Sequence, residues 1–231
     1  MDHFARIYQE EAANYEAMVA REDYEQRLLP ALAEIRAPHG LDVIDLGSGT
    51  GRLAVMLAPL TRAMIALDIS PHMLAVAHDR LRRLGGRNWI TGAADHRALP
   101  VGDAVADLAI AGWSMVYTVV WYEETWRHEL NQALREMGRV LRPGGTQIII
   151  ETLGTGETTP NPPGDLLAYF DYLENEAGFQ STWIRTDYKF TSRDEAQKLT
   201  GFFFGDAMIE NLISEKPAIL PECTGIWWRH L

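Results

Sequence analysis

Cysteine is nearly missing from this 231-residue chain. Cys223 stands alone, so no internal disulfide can form and no cysteine-rich zinc site exists. Long apolar runs are missing as well. No stretch of about 18 or more apolar residues occurs, which argues against a membrane span. The opening "MDHFARIYQEEAANYEAMVA" carries acids and lacks the basic-then-apolar order of a signal peptide, so a cytoplasmic address is expected. Basic residues are outnumbered: 21 Lys and Arg against 32 Asp and Glu give a formal net charge of −11. Nucleic-acid binders neutralise phosphates with a basic patch. The densest basic cluster here is Arg80, Arg82, Arg83 and Arg87, with Arg97 further on, and it reads as a solvated helix face. No nucleic-acid partner is expected.

What the chain does have is an alternation of strand-like and helix-like segments. "LDVIDL", "RAMIALDI", "NWITG", "VADLAIAG" and "TQIIIETL" read as strands, with amphipathic segments before and between them. Ser70-Pro71 forms a helix start, a cap residue followed by proline at the first helical position. Five strands alternating with helices over about 150 residues predict a parallel sheet covered on both faces. Two amphipathic helices precede the sheet, the second interrupted by Pro30. Beyond the fifth strand, "DLLAYFDYLENEAGF" and "SRDEAQKLTGFFFGDAMIENLI" read as helical, "STWIRTDYKF" and "AILPECTGIWWRHL" as strands. The expected fold is α/β: a Rossmann-like, doubly wound sheet of about seven strands. One domain is expected over 1–231, with an N-terminal helical cap at 1–38, a core at 39–152 and a substrate-side half at 153–231.

The loop after the first strand is the place where an open α/β sheet binds ligands. Here it reads "VIDLGSGTGR", residues 43–52, with glycine at every second position. Glycine lets a backbone turn tightly and lets a ligand touch it. A phosphate-binding P-loop needs Lys and then Ser or Thr after its second glycine, and that order is missing. A dinucleotide turn needs a small residue three positions after Gly49. Arg52 stands there, which disfavours a pyrophosphate.

The stretch "VIDLGSGTGRLA" resembles the first motif of the class I S-adenosylmethionine-dependent methyltransferases. "ALDIS" resembles their second motif, "TGAADHRALPVGDAVADLAIAGWSM" their third and fourth, and "LREMGRVLRPGGTQIII" the helix and fifth strand of the small-molecule subgroup. The resemblance implies S-adenosylmethionine as cofactor, S-adenosylhomocysteine as product, and an antiparallel last strand. It implies that Asp45, Gly47, Ser48, Gly49, Gly51 and Arg52 cradle the methionine end, whose carboxylate would gain from helix-end N–H groups. It implies that Asp68 accepts the ribose hydroxyls, that Asp95 meets the adenine amino group, and that Ile69, Met73, Ala94 and His96 lie about the ring. Ala111 and Gly112 would floor the site, and Tyr15, with Tyr8, would belong to a segment folded over it.

For the transfer itself, the methyl is already activated, so positioning and exclusion of water carry much of the catalysis. No catalytic base is identified and no metal is expected. Trp113, Tyr117 and Trp121, which follow the fourth strand, would wall a small-molecule acceptor. The nucleic-acid exocyclic-amine signature would fall where "AGWS" stands, and "NPPG" at 161–164 reads as a turn. Cytosine-5 chemistry needs Pro-Cys near the fourth strand, and Cys223 is far from it. Asp103 and Asp107 read as loop residues, not magnesium ligands. Two alternatives stay open at this point: an NAD-dependent oxidoreductase, which Arg52 disfavours, and a non-catalytic cofactor-binding protein.

Overall fold

The computed structural model describes residues 6, 7, 10–213 and 217–231. Its elements in chain order are α1 (Ala12–Val19), α2 (Leu28–Ile35), β1 (Asp42–Leu46), α3 (Arg52–Leu57), β2 (Ala63–Asp68), α4 (Pro71–Leu84), β3 (Trp89–Ala93), β4 (Ala106–Gly112), α5 (Tyr117–Val120), α6 (Trp126–Arg139), β5 (Leu141–Thr155), α7 (Leu167–Asp171), β6 (Gln180–Arg185), β7 (Tyr188–Phe190), α8 (Arg193–Phe204), β8 (Ala218–Leu220) and β9 (Glu222–His230).

Seven strands form one sheet in the order β3-β2-β1-β4-β5-β9-β6. The β1–β2, β1–β4, β2–β3 and β4–β5 pairs are parallel, and β9 runs antiparallel to both β5 and β6. Side chains alternate across this sheet, as strand geometry requires. Ile44, Ala109, Ile149 and Trp227 enter one core, with Leu130 and Leu134 of α6. Val43, Leu108, Ile110, Ile148, Ile150 and Ile226 enter the other, with Leu53 and Leu57 of α3. Both faces are therefore covered, which is why the strands read as continuous apolar runs.

Local chemistry sets the helix ends that matter for the site. The Ser70 hydroxyl accepts from the Met73 N–H at 3.3 Å, Pro71 takes the first helical position, and Gly85 ends α4 at φ +79°. On α6, Leu130, Ala133, Leu134 and Met137 form the buried stripe of an amphipathic helix. Pro30 sits in the first turn of α2, where the missing N–H costs nothing, so it starts that helix and does not interrupt it.

One unit was not foreseen. The segments expected as single last strands each break, and β7 pairs with β8 in a separate ribbon. Tyr188, Phe190, Ala196, Leu199 and Leu220 pack there with Met18 of α1 as a third, smaller core. Tyr188, Phe203 and Phe204 of this unit line a cavity together with Asp45 of β1, Gly112 of β4 and Thr152 of β5, beside the point where β1 lies between β2 and β4 and the strand order reverses. Cys223 is fully buried in β9, and its thiol donates to the Glu157 carbonyl at 3.4 Å.

Candidate active site

The glycine turn opens the cleft. Gly47, Gly49 and Gly51 hold φ of +67°, +53° and +84°, a left-handed region that other residues enter at a cost. The Ser48 N–H bonds Leu67 O at 2.8 Å, tying the turn to β2. A methyl on Gly47 would lie 2.4 Å from Ser114 Cβ, so this glycine is also required by space. Gly51 faces Ala77 of α4, where a Cβ would come within 3.0 Å, so its smallness serves helix packing.

Two cavities meet at this turn. The first, of about 710 Å³, is lined by Gly47, Gly49, Asp68, Ile69, Met73, Asp95 and His96 among others. The Asp68 carboxylate is fixed from two sides: Oδ2 accepts the Gly49 N–H and Oδ1 the Ser70 N–H, each at 2.8 Å. Burial raises its pKa, and these two N–H groups partly offset that. Asp95 is held by Arg97 through the side chain at 2.6 and 2.8 Å and the backbone N–H at 2.9 Å. That guanidinium keeps the Asp95 carboxyl below its ordinary range. Arg97 also reaches Glu129 at 2.6 Å and lies over the Tyr122 ring.

The His96 tautomer follows from its partner. Ser114 Oγ donates to the Leu46 carbonyl at 2.9 Å, so its one proton is committed. His96 Nε2, 3.2 Å away, must then be the donor to Ser114, leaving the lone pair on Nδ1. Burial pushes the His96 pKa down to about 4, so the ring is neutral at pH 7.

The second cavity, of about 530 Å³, lies on the β5–β9 side and shares Tyr15, Gly47, Gly112, Trp113 and Tyr117 with the first. Arg52 crosses its floor. Its guanidinium lies 4.0 Å over the Trp113 ring and donates to Glu22 Oε2 at 2.5 Å, while Nη2 has no partner among the described residues. Glu22 Oε1 in turn accepts from Thr186 at 2.9 Å. Trp113 itself holds φ +52°, a strained backbone for a bulky residue. Asp45 is buried here with neither carboxyl oxygen hydrogen-bonded among the described residues. Burial, with Asp68 nearby, pushes its pKa up to about 8. Glu151 Oε1 accepts the Val116 N–H at 2.9 Å, and Glu222 Oε1 accepts from Thr152 at 2.7 Å, whereas Glu222 Oε2 is unpartnered. Burial pushes Glu151 up to about 8, and burial together with the neighbouring Glu22 raises Glu222 above its ordinary range.

The candidates read from sequence are thus divided. Asp68, Ile69, Met73, Asp95, His96 and Gly49 line the first cavity, Asp45, Ser48 and Arg52 the second, and Tyr15, Gly47, Gly112, Trp113 and Tyr117 both. Trp121 lines the first cavity and not the second. Among the described residues neither cavity includes Gly51, Ala94 or Ala111: Ala111 is fully buried and Ala94 packs on the same core. Tyr8 lies outside the described residues. Arg80 is not a solvated arginine, for it donates to Glu16 at 2.6 Å and to the Thr50 carbonyl at 2.9 Å. The "NPPG" turn brings Asn161, Pro162 and Pro163 to the second cavity. Asp103 and Asp107 pair with Arg139 and Arg142, outside both cavities. Glu22, Ser114, Glu151 and Glu222 escaped the sequence reading. Only Glu151 left a signal there, as a lone acid at the end of "IIIE". Among the described residues no group of His, Cys, Asp and Glu could hold a metal ion, and no helix is long and apolar enough to cross a membrane.

Strand order, antiparallel β9 and a glycine turn at the β1–β4 switch point define the Rossmann-like methyltransferase fold. Residues 43–145 match the family model "Methyltransferase domain". The chain belongs to the class I S-adenosylmethionine-dependent methyltransferases. It is 30% identical over 170 residues to the uncharacterized protein YafE of Escherichia coli (strain K12), covering 74% of this chain and 71% of that one. It is 32% identical over 154 residues to a malonyl-[acyl-carrier protein] O-methyltransferase of Serratia marcescens, covering 66% of this chain but only 53% of that protein. The chain thus spans about half the length of that relative. A SAM-dependent methyltransferase from Aquifex aeolicus shares the fold with a TM-score of 0.58 at 16% identity, covering 93% of this chain and 97% of that one.

Proposed function

We propose that the protein transfers a methyl group from S-adenosylmethionine to a small-molecule acceptor, with the adenosine in the first cavity and the acceptor in the second. One observation carries this reading. Asp45 and Arg52 flank the glycine turn, one with two unpartnered carboxyl oxygens and the other with an unpartnered Nη2. A buried acid and a buried guanidinium with bonds to spare fit a zwitterion, the form of the methionine end of the cofactor. Its ammonium would supply the cation that lets Asp45 ionise despite burial. Its carboxylate would take the Arg52 Nη2, with the free Ser48 hydroxyl beside it.

The remaining residues fit the rest of the group. Asp68, already oriented by two N–H donors, presents its remaining lone pairs to the ribose hydroxyls. Ile69 and Met73 flank the adenine. Asp95 and neutral His96 lie at its edge, with Asp95 oriented by Arg97. The bound cofactor supplies a methyl group already activated for displacement. The protein's own contribution is to hold the two partners in line and to exclude water, with Trp113 and Tyr117 standing between the cavities.

Calorimetric titration with S-adenosylhomocysteine tests the reading. Asp68→Ala is expected to weaken binding on the order of 100-fold, since charge-assisted hydrogen bonds to a buried ribose are lost. Circular dichroism checks that the variant is folded. Binding of NAD without binding of S-adenosylhomocysteine overturns the reading.

A further inference from the structure

The second cavity has a charge pattern that its neighbour lacks. Its described lining includes six carboxylates, Glu22, Asp45, Glu151, Glu157, Asp165 and Glu222, against one basic side chain, Arg52. Arg52 pairs with Glu22 through Nη1, and in the function proposed above its Nη2 takes the methionine carboxylate while Asp45 faces the methionine ammonium. Four acids are left without a cation among the described lining.

Glu222 makes this more than an acidic patch. It is 1% exposed, at the start of β9, and it lines the cavity. Oε1 is anchored by the Thr152 hydroxyl and the backbone N–H bonds Asp187 at 3.0 Å, so the side chain is held in place. Oε2 has no hydrogen-bond partner among the described residues. An unmet buried carboxyl oxygen is costly, more so when charged, unless a ligand meets it. The same cavity is lined by the aromatic rings of Trp113, Tyr117, Tyr188, Phe203 and Phe204. Aromatic faces attract organic cations and pack on apolar bodies. A carboxylate or phosphate acceptor would meet these acids with one guanidinium already occupied.

We infer that the acceptor carries an organic ammonium on an apolar or aromatic body, and that Glu222 Oε2 in the second cavity receives that ammonium and so positions the molecule. This rests on the proposed function, because it takes the first cavity to be the cofactor's.

The probes are three molecules of like shape: 2-phenylethylamine, 2-phenylethanol and 3-phenylpropionate. Each is titrated calorimetrically into the intact protein saturated with S-adenosylhomocysteine. The amine is expected to bind at least tenfold more tightly than the alcohol, and the acid not to bind. Glu222→Gln, which keeps the shape and the Thr152 contact but removes the charge, should weaken the amine at least tenfold. The same variant should keep its S-adenosylhomocysteine affinity within about threefold, which shows that it is folded. Equal binding of amine and alcohol, tighter binding of the acid, or binding of none of the three overturns the inference and leaves the cofactor assignment standing. Failure of wild-type protein to bind S-adenosylhomocysteine strikes the proposed function instead. The wild-type comparison among the probes holds even if Glu222→Gln does not fold.

Discussion

The two cavities share a wall of five described residues, yet their polar groups are settled differently. In the first, Asp68 is tied by two N–H donors and Asp95 by Arg97 before any ligand arrives. In the second, Asp45, the Arg52 Nη2 and Glu222 Oε2 are buried with bonds to spare. Ordered partners preorganise a site at little cost on binding. Unmet ones tax the empty protein and are relieved by the ligand. The first cavity is thus shaped in advance, and the second is completed by what enters it.

The largest test of this contrast removes one arginine from each cavity. Arg52→Met leaves Glu22, whose side chain is 2% exposed, without a cation. A loss of about 3–5 kcal/mol of unfolding free energy in urea is expected, as for a broken buried pair. Arg97→Met releases Asp95 and Glu129, whose side chains are 31% and 14% exposed, and should cost less, about 1 kcal/mol per pair. Equal losses would erase the distinction.

A smaller effect concerns pH. Asp45 is pushed up to about 8 in the folded protein, above its ordinary 3.8, and Glu222 is raised above its ordinary 4.5. Between the ordinary and the raised value the native state holds protons that the unfolded chain has released. Each group therefore lowers stability as pH rises through that window, for Asp45 from about 4 to 8, by at most about 1.4 kcal/mol per pH unit. His96 in the first cavity has the opposite sign. Its pKa is pushed down to about 4, so its contribution is lost as pH falls from about 6.5. Unfolding curves of the unliganded protein at pH 5, 6, 7 and 8 should show a shallower decline in Asp45→Asn than in wild type. An unchanged slope would mean that Asp45 is already satisfied.

The smallest effect is at the rim. Trp121 is 41% exposed and stacks on Tyr117 with centroids 4.6 Å apart. Trp121→Ala should weaken S-adenosylhomocysteine roughly threefold, the scale of one partly exposed aromatic contact. A hundredfold loss would move Trp121 into the centre of the first cavity.

The same contrast explains what could be read in advance. The first cavity is built largely from short local motifs: a strand, a glycine turn, and an acid ending the next strand. Gly49 and Asp68 are 19 residues apart, and their contact follows from adjacent parallel strands. The alternation of apolar strand runs with helical segments likewise carried the sheet. The second cavity is assembled from distant pieces. Arg52 finds Glu22 30 residues upstream, and Glu22 reaches Thr186 164 residues away. No periodicity announces such partners. Arg80 was misread for this reason: helical spacing placed it on a polar face, but only the fold brings Glu16 to it. The β7–β8 ribbon was missed because a three-residue strand has too little length to show a period.

Cys223 gives the molecule a built-in reporter. Its thiol is the chain's single sulfhydryl, fully buried, and capped by the carbonyl of Glu157, whose residue lines the second cavity. Burial pushes its pKa up to about 11, so at neutral pH it is a protonated, unreactive thiol. It can meet a thiol reagent only when the structure around β9 opens. The rate of labelling therefore clocks that local opening in the native chain, with no probe to engineer and no second cysteine to remove.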